Sequence, residues 1–492
     1  MKLSRFLPAL VLISFVIQGL QAAPEEYRTF TNAKGQQIRA KLVGLENDQA
    51  TIKMENGQTH TLALTVFSEE DQTFIRRAGA ALQSGFVTKA SASDQIPVEK
   101  INEAVGAPLF GESVLWQADV TEVASRLDLK RESQTKTQCS YRSYPDAEAR
   151  LFGARPFTVA LYGESDHPTR ISIVFANKGD SFGAAGSAEK HFDREAPKDV
   201  EEALKYLNED MASDVKTITE KLSALLGEPV KQRFGEGKGR RTVHRWDWRG
   251  HALLLTEKED EYVGVEIATQ AFADQGGRSE RVNDAVIRAA AANNIEKRPN
   301  GDVVLQEIPM VDQGPKGYCA PATAERAMRY LGVSADMYLL AMAGETQLGG
   351  GTSVDRMLDA VETEIRNKGR SFDKWRSEFK LRDIKKHIDR GVPVIWALFS
   401  SDEWNATANE RTKERKTVTD WDAWRKKTEE IRAKASLAKD HDSAHVVLVI
   451  GYNESTGEIA FSDSWGERYT ERWMTLEEAQ CVSQDAFWVV GF

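Results

Sequence analysis

The chain has 492 residues, too many for one hydrophobic core, so several domains are expected. With 41% hydrophobic and 28% charged residues it reads as an ordinary globular protein, neither disordered nor fibrous. The net charge of −10, from 65 basic and 75 acidic residues, argues against nucleic-acid binding, as does the lack of a long Lys/Arg run.

Lys2 and Arg5 precede an apolar stretch from Phe6 to Leu20, and Ala22-Ala23 stand before Pro24. This is the pattern of a signal peptide, read here as residues 1–23, with an uncleaved anchor as the alternative. No cysteine follows the apolar stretch, so a bacterial lipoprotein anchor is not expected. No other apolar run nears the ~20 residues of a membrane span. The expectation is an exported protein, periplasmic or secreted, with no membrane span after cleavage. Export favours disulfides, yet only Cys139, Cys319 and Cys481 are present. An odd count leaves at least one thiol unpaired; a Cys139–Cys481 pair would leave Cys319 free.

Residues 24–80 alternate in short runs, Ala50-Ile52-Met54 and Leu62-Leu64, around Asn56-Gly57, a strong hairpin signal. Ser68, with Asp71 three residues on, marks a helix start. The R-x-F-T-N-x-x-G opening, the Asn-Gly turn and the final S-x-x-D-Q helix resemble the Sla homology domain one family, a small SH3-like barrel. The resemblance implies a module without catalytic residues, binding a peptide or envelope ligand or acting as a spacer. An Ala-, Ser- and Gly-rich linker follows at 81–97.

Residues 98–275 read as an α+β domain of unknown role. Val200, Leu204, Leu207, Met211, Val215, Ile218, Leu222 and Leu225 recur at spacings of three and four, which predicts a long helix stopped by Gly227 and Pro229. Strands follow, with a turn at Arg249-Gly250. Trp246 and Trp248 suit sheet packing better than a ligand site. Residues 276–300 predict an alanine-rich helical linker ending at Pro299-Asn300-Gly301, the turn where a cut would fall if the N-terminal part were removed.

The chemistry concentrates in residues 301–492. Gln313 lies six residues before Cys319 in QGPKGYC, His445 heads the apolar run AHVVLVIGY, and Asp463 ends the next strand in FSDSWG. Each alone is weak, since a free cysteine is usually an inert buried residue and a histidine on an apolar strand a satisfied core residue. The order Gln, Cys, His, Asp in those contexts is specific. It resembles the papain-like fold, and within it the bacterial, peptidase C39-like branch of bacteriocin-processing, double-glycine-type peptidases. That resemblance implies an oxyanion-hole role for Gln313 and the catalytic roles of nucleophile for Cys319, base for His445 and third member for Asp463. There are departures. CAPAT replaces the C-x-A-F of many papain relatives, and the WGExGY end is reduced to WGERYTERW. The Cys-to-His separation falls just short of the roughly 130–150 residues of papain and cathepsins.

Physical chemistry agrees with the resemblance. APATAERAMRYLG predicts a helix with Cys319 at its N-terminus, where unpaired N–H groups and the dipole favour a thiolate. His445 would pair with it, Asp463 would fix the imidazole tautomer, and Trp465 would shield the pair from water. His441, in a polar loop, is a rival base. No second Cys or His stands at ligand spacing near Cys319, so metal binding is not expected, and the reaction that the resemblance implies needs no organic cofactor.

Two further stretches are ambiguous. The double glycine in LGGGTSVDRML reads as a turn into a helix capped by Thr352 or Ser353. Trp421, Trp424 and Ile431 recur at helical spacing in a charged insertion, predicting a helix beside the cleft, either a lid or a solvated surface helix.

The fold expectation is thus multidomain: a small all-β SH3-like barrel, then an α+β domain, then an α+β papain-like cysteine peptidase fold. The function expected is an exported peptidase acting on a peptide or protein substrate through a thioester acyl-enzyme. The alternatives are acyl transfer or deamidation by the same triad, and a non-catalytic envelope scaffold.

Overall fold

The computed structural model describes residues 27–32, 36–46, 48–54, 58–68, 71–72, 74–76, 92–164, 166–181, 198–278, 281–346 and 351–492. The expected signal segment 1–23, the Asn56-Gly57 turn, most of the 81–97 linker and the Gly349-Gly350 pair lie outside the described residues. The chain divides into two compact units, Met1–Ala90 and Ser91–Phe492.

In the first unit β1 (Arg28–Thr31), β2 (Gln37–Glu46), β3 (Gln49–Met54) and β4 (Thr59–Ala63) form an antiparallel meander. Alternation puts Phe30, Ala40, Leu42, Ala50 and Ile52 on one face, where Leu64, Phe67 and Ile75 close a small core. Ser68 Oγ accepts from the Asp71 N–H at 3.3 Å, as a helix start requires. The buried Asp71 carboxylate accepts from the Thr31 N–H at 2.7 Å and the Arg28 guanidinium at 2.8 Å, pinning this turn to β1. The expected barrel is not closed among the described residues. After β4 the chain enters a short 3₁₀ turn, Leu64–Val66, and β1 does not pair with β4; an isolated bridge joins Asn32 to Phe67.

The second unit holds two large sheets. The middle sheet comprises β5 (Lys130–Gln134), β6 (Gln138–Ser143), β7 (Thr158–Glu164), β8 (His167–Asn177), β9 (Val230–Phe234), β10 (Arg241–Trp248), β11 (His251–Lys258) and β12 (Tyr262–Thr269). Its order, β5-β6-β7-β8-β12-β11-β10-β9, joins two antiparallel meanders at β8 and β12. Between them in sequence runs the helix Val200–Leu226, capped by Asp199 and ended by Gly227 at φ 82°. It buries Ala203, Leu207, Met211, Ile218 and Leu222, a stripe of the spacing seen in sequence. Arg249 and Gly250, at φ 42° and 78°, make the tight β10–β11 turn. Trp246 and Trp248 are core residues whose indole N–H groups donate to the carbonyls of Gly227 and Ile96 at 2.9 and 3.1 Å.

The last sheet comprises β13 (Ile295–Lys297), β14 (Asp302–Leu305), β15 (Ser371–Arg376), β16 (Val394–Phe399), β17 (Ala444–Asn453), β18 (Glu458–Ser462), β19 (Arg472–Thr475) and β20 (Ser483–Gly491). The main order is β13-β14-β17-β16-β20-β15, and β17 also pairs with β18, which pairs with β19. The helix Cys319–Tyr330 is tied to β17 by the Thr323 hydroxyl, which donates to the Val446 carbonyl at 3.0 Å. Burial on both faces explains why β17 reads as an unbroken apolar run. Gly451 is required where β14 crosses, since a Cβ there would lie 2.5 Å from the Val303 carbonyl oxygen.

Ser353 caps the helix Val354–Asn367, while Thr352 bonds Thr346 instead. The charged insertion forms two helices, Asp402–Arg415 and Trp421–Ala433. The second is largely exposed, as the solvated surface alternative expects, with Trp424 and Thr428 on its one buried face. Trp424 is buried and donates to Glu458 at 3.0 Å, and Glu458 pairs with Asn453 at the far end of β17 from His445. Among the described residues no helix is long and apolar enough to cross a membrane.

Candidate active site

Cys319 is the first residue of its helix, and Tyr318 before it offers no side-chain cap. The first-turn N–H groups are therefore open to the sulfur. Pro321 fits in this turn because its missing N–H would have had no helical partner. Cys319 is half-buried. Cys139, Cys319 and Cys481 are all free thiols, so the Cys139–Cys481 pair that the sequence leaves open is not formed.

His445, second in β17, is buried and pairs with Leu398 of β16. Its Nε2 lies 2.8 Å from Asp463 Oδ1, and its ring also hydrogen-bonds the Cys319 thiol, for which Nδ1 remains. Asp463 follows directly on β18 and is fully buried. The rival base, His441, lies in the exposed turn before β17, against the Phe399 ring at 4.6 Å.

Each residue of Ser462-Asp463-Ser464-Trp465 takes part. Ser462 Oγ and the Asp463 carbonyl accept from Arg326, a buried residue of the Cys319 helix. The Ser464 hydroxyl donates to Gln313 Oε1 at 2.7 Å, and its carbonyl accepts from the Gln313 N–H at 2.9 Å. Trp465 stacks on the His445 ring, centroids 4.4 Å apart at 18°. The Gln313 amide is thereby oriented. One Nε2 hydrogen goes to the Lys316 carbonyl at 2.9 Å, leaving the second to donate elsewhere.

The electrostatics follow from these contacts. Burial raises the Cys319 pKa, but the hydrogen bond to His445, its charge, and backbone bonds from Val446 and Ala320 outweigh it and bring the thiol below its ordinary value. Burial lowers that of His445, but hydrogen bonds to Asp463 and Cys319 and their charges raise it to about 9. The two shifts together favour a thiolate–imidazolium pair.

Sequence reasoning misses Arg472. This buried residue of β19 donates to Asp463 Oδ2 at 2.6 Å and to the Asn405 carbonyl at 3.0 Å. Its guanidinium lies among the rings of Trp404, Phe461, Trp465 and Tyr469. The available signal is a charged residue opening the short strand Arg-Trp-Met-Thr. Among the described residues no group of three or more His, Cys, Asp or Glu is arranged to hold a metal.

No curated relative matches the chain. The peptidase domain of Streptococcus ComA, described as a bi-functional ABC transporter involved in a quorum-sensing pathway, is a structural match at 12% identity. It covers 37% of this chain and 96% of that one, with a TM-score of 0.24, too low to carry weight. Residues 305–488, which include Gln313, Cys319, His445 and Asp463, match the model of the Peptidase_C39 like family, and that match supports a C39-like cysteine peptidase in this part of the chain.

Proposed function

We propose that residues 301–492 hydrolyse peptide bonds through Cys319, His445 and Asp463. The supporting observation is the buried His445 ring, bonded to Asp463 at 2.8 Å on one side and to the Cys319 thiol on the other. The Cys319 thiolate attacks the scissile carbonyl, whose oxygen becomes an oxyanion. The free Gln313 Nε2 hydrogen and the Cys319 backbone N–H receive that charge, each such donor contributing about 3–4 kcal/mol. His445 gives its proton to the leaving amine as the carbon–nitrogen bond breaks, and a thioester remains. Water then attacks the thioester, giving a proton to His445, and the thiolate leaves as the acid product forms. Asp463, held by Arg472, keeps the imidazole aligned throughout.

The pattern of Lys2, Arg5 and Phe6–Leu20 supports export, checked by the N-terminal sequence of the mature chain. The strand-and-turn order of residues 27–76 and the Ser68–Asp71 bond support a Sla homology domain one-like module.

The test is the pH dependence of iodoacetamide alkylation at Cys319, read by peptide mass spectrometry. The wild type reacts well below the ~8.5 of an ordinary thiol. In His445→Ala the lowering influences of His445 vanish while burial and the backbone bonds from Val446 and Ala320 remain, so the reactive limb moves upward. An ordinary thiol curve, unchanged by His445→Ala, would refute the reading.

A further inference from the structure

The segment before Cys319 is held from outside the last sheet. Glu132 Oε1 in β5 accepts from the Asp312 N–H at 2.7 Å, and Ser133 Oγ from the Met310 N–H at 3.0 Å. The Tyr144 hydroxyl donates to the Asp312 carbonyl. Two glycines allow the close approach. A Cβ on Gly179 would sit 2.3 Å from the Tyr318 ring, and one on Gly314 would sit 2.6 Å from the Tyr144 ring. Val174 and Tyr262 of the middle sheet share a core with Val311, Tyr318, Ala322 and Tyr338.

At the centre of this contact is a buried charge. Lys316 is 1% exposed, with its ammonium 3.1 Å from Asp180 Oδ1, 4.4 Å from the Tyr144 ring centroid and 5.4 Å from that of Tyr338. Asp180 is itself fixed, accepting from Asn177 Nδ2 at 2.9 Å and giving its N–H to Asn177 Oδ1 at 2.9 Å. A lysine so deeply buried needs its partner. Its carbonyl is the group to which the Gln313 amide donates. Asp180 thus fixes Lys316, and Lys316 sets the direction of the remaining Gln313 hydrogen.

We propose that the buried Lys316–Asp180 pair positions the Gln313 amide, so that the middle region, residues 98–275, completes the oxyanion loop and is not a removable arm. This rests on the peptidase reading above. The turn Pro299-Asn300-Gly301, where the sequence places a cut, is the tip of the β13–β14 hairpin, and β14 pairs with β17 of the last sheet. Lys316 and Asp180 are positioning residues, acting through Gln313.

Two probes of Cys319 in the full-length protein separate the possibilities. Iodoacetamide alkylation displaces iodide from carbon and forms no oxyanion. Acylation by p-nitrophenyl acetate, followed by the burst of p-nitrophenol, passes through one. The expected result for Asp180→Asn is acylation about 10²-fold slower, the loss typical of a misplaced catalytic group, with alkylation changed by less than about twofold. Asp180→Glu, which retains the charge, recovers part of the loss. The charge-free pair Lys316→Met with Asp180→Leu avoids an unpaired buried ion and shows the same selective loss. In a Gln313→Ala background, Asp180→Asn adds nothing, because both act through one amide. Equal falls in both rates, or no fall in either, overturn the proposal while leaving the peptidase reading intact. A wild type whose alkylation is indifferent to His445→Ala sinks the peptidase reading and this proposal together.

Discussion

Two buried histidines, one on each large sheet, share nearly everything except their partners. His251 opens β11 and His445 is second in β17; they are 1% and 4% exposed. Each lies nearly flat against a tryptophan, Trp248 at 5.6 Å and 23°, Trp465 at 4.4 Å and 18°. The His251 ring is saturated by backbone, with Nε2 accepting from the Leu115 N–H and Nδ1 donating to the Trp248 carbonyl, both at 3.0 Å. Burial therefore prevails and lowers its pKa to about 4. The same burial acts on His445, but Asp463 and Cys319 outweigh it and raise the value to about 9. Burial on an apolar strand beside an aromatic ring is common to both. The charged partners make the difference.

The sharpest way to break this contrast is to remove each ring in turn. His445→Ala is expected to slow acylation of Cys319 by p-nitrophenyl acetate about 10³–10⁴-fold. His251→Leu leaves that rate within about twofold but strands two buried backbone groups, costing about 2–4 kcal/mol in a denaturant titration. The pH dependence of stability probes His251 further, beside His387, whose buried ring is likewise lowered to about 4. Its folded pKa lies below the ordinary 6.5, so the unfolded chain takes up the proton first. The stability its neutral ring contributes is complete above pH 6.5 and is lost as pH falls through about 4, by roughly 3 kcal/mol. His251→Leu should lessen that acid-side slope by the share His251 contributes, leaving that of His387. A slope unchanged in the variant would assign it to other groups.

A smaller effect sharpens the contrast from the partner's side. Arg472 holds Asp463, and the Asp463 hydrogen bond is the largest influence raising the His445 pKa. Arg472→Met should slow acylation about 10- to 100-fold through a misaligned Asp463. The alkaline limb of the pH–rate profile should stay at or above about 9, because the lost guanidinium no longer opposes the imidazolium. Arg472→Lys recovers part of the rate, since one ammonium cannot serve both Asp463 and Asn405 as the guanidinium does. A rate that holds while stability falls would make Arg472 a packing residue only.

What is legible in the sequence follows the same division between local pattern and distant partner. Cys319 at a helix start, His445 at a strand head and Asp463 after a strand are each visible within a short window of residues. So is the Val200–Leu226 helix, whose spacing repeats over its whole length. Arg472 is illegible because its role depends on Asp463 and Asn405, which meet it only once β18, β19 and the helix Asp402–Arg415 have packed. Lys316 reads as a loop residue, and nothing near it announces Asp180. Trp421 and Trp424 mark a packing face, but periodicity cannot name the surface it meets, which is the Glu458 end of β17 and β18. The barrel expected for residues 24–80 is not closed among the described residues, where the chain leaves β4 through a 3₁₀ turn and meets β1's end at the Asn32–Phe67 bridge, a junction that local alternation does not show.

The smallest effect is expected at His441, the rival that stands four residues before His445 in Asp440-His441-Asp442, with acidic neighbours that would suit a base. The fold separates the two. His441 lies in the turn before β17, exposed, with its ring against Phe399, while four residues later the chain is inside the sheet and His445 meets Asp463. A catalytic base needs a fixed distance to its proton, and an exposed turn fixes none. His441→Ala should therefore change acylation by less than about twofold and leave the alkaline limb where it is. If instead His441→Ala abolished acylation and His445→Ala spared it, the charged partners of His445 would be structural, and the two buried histidines would be alike after all.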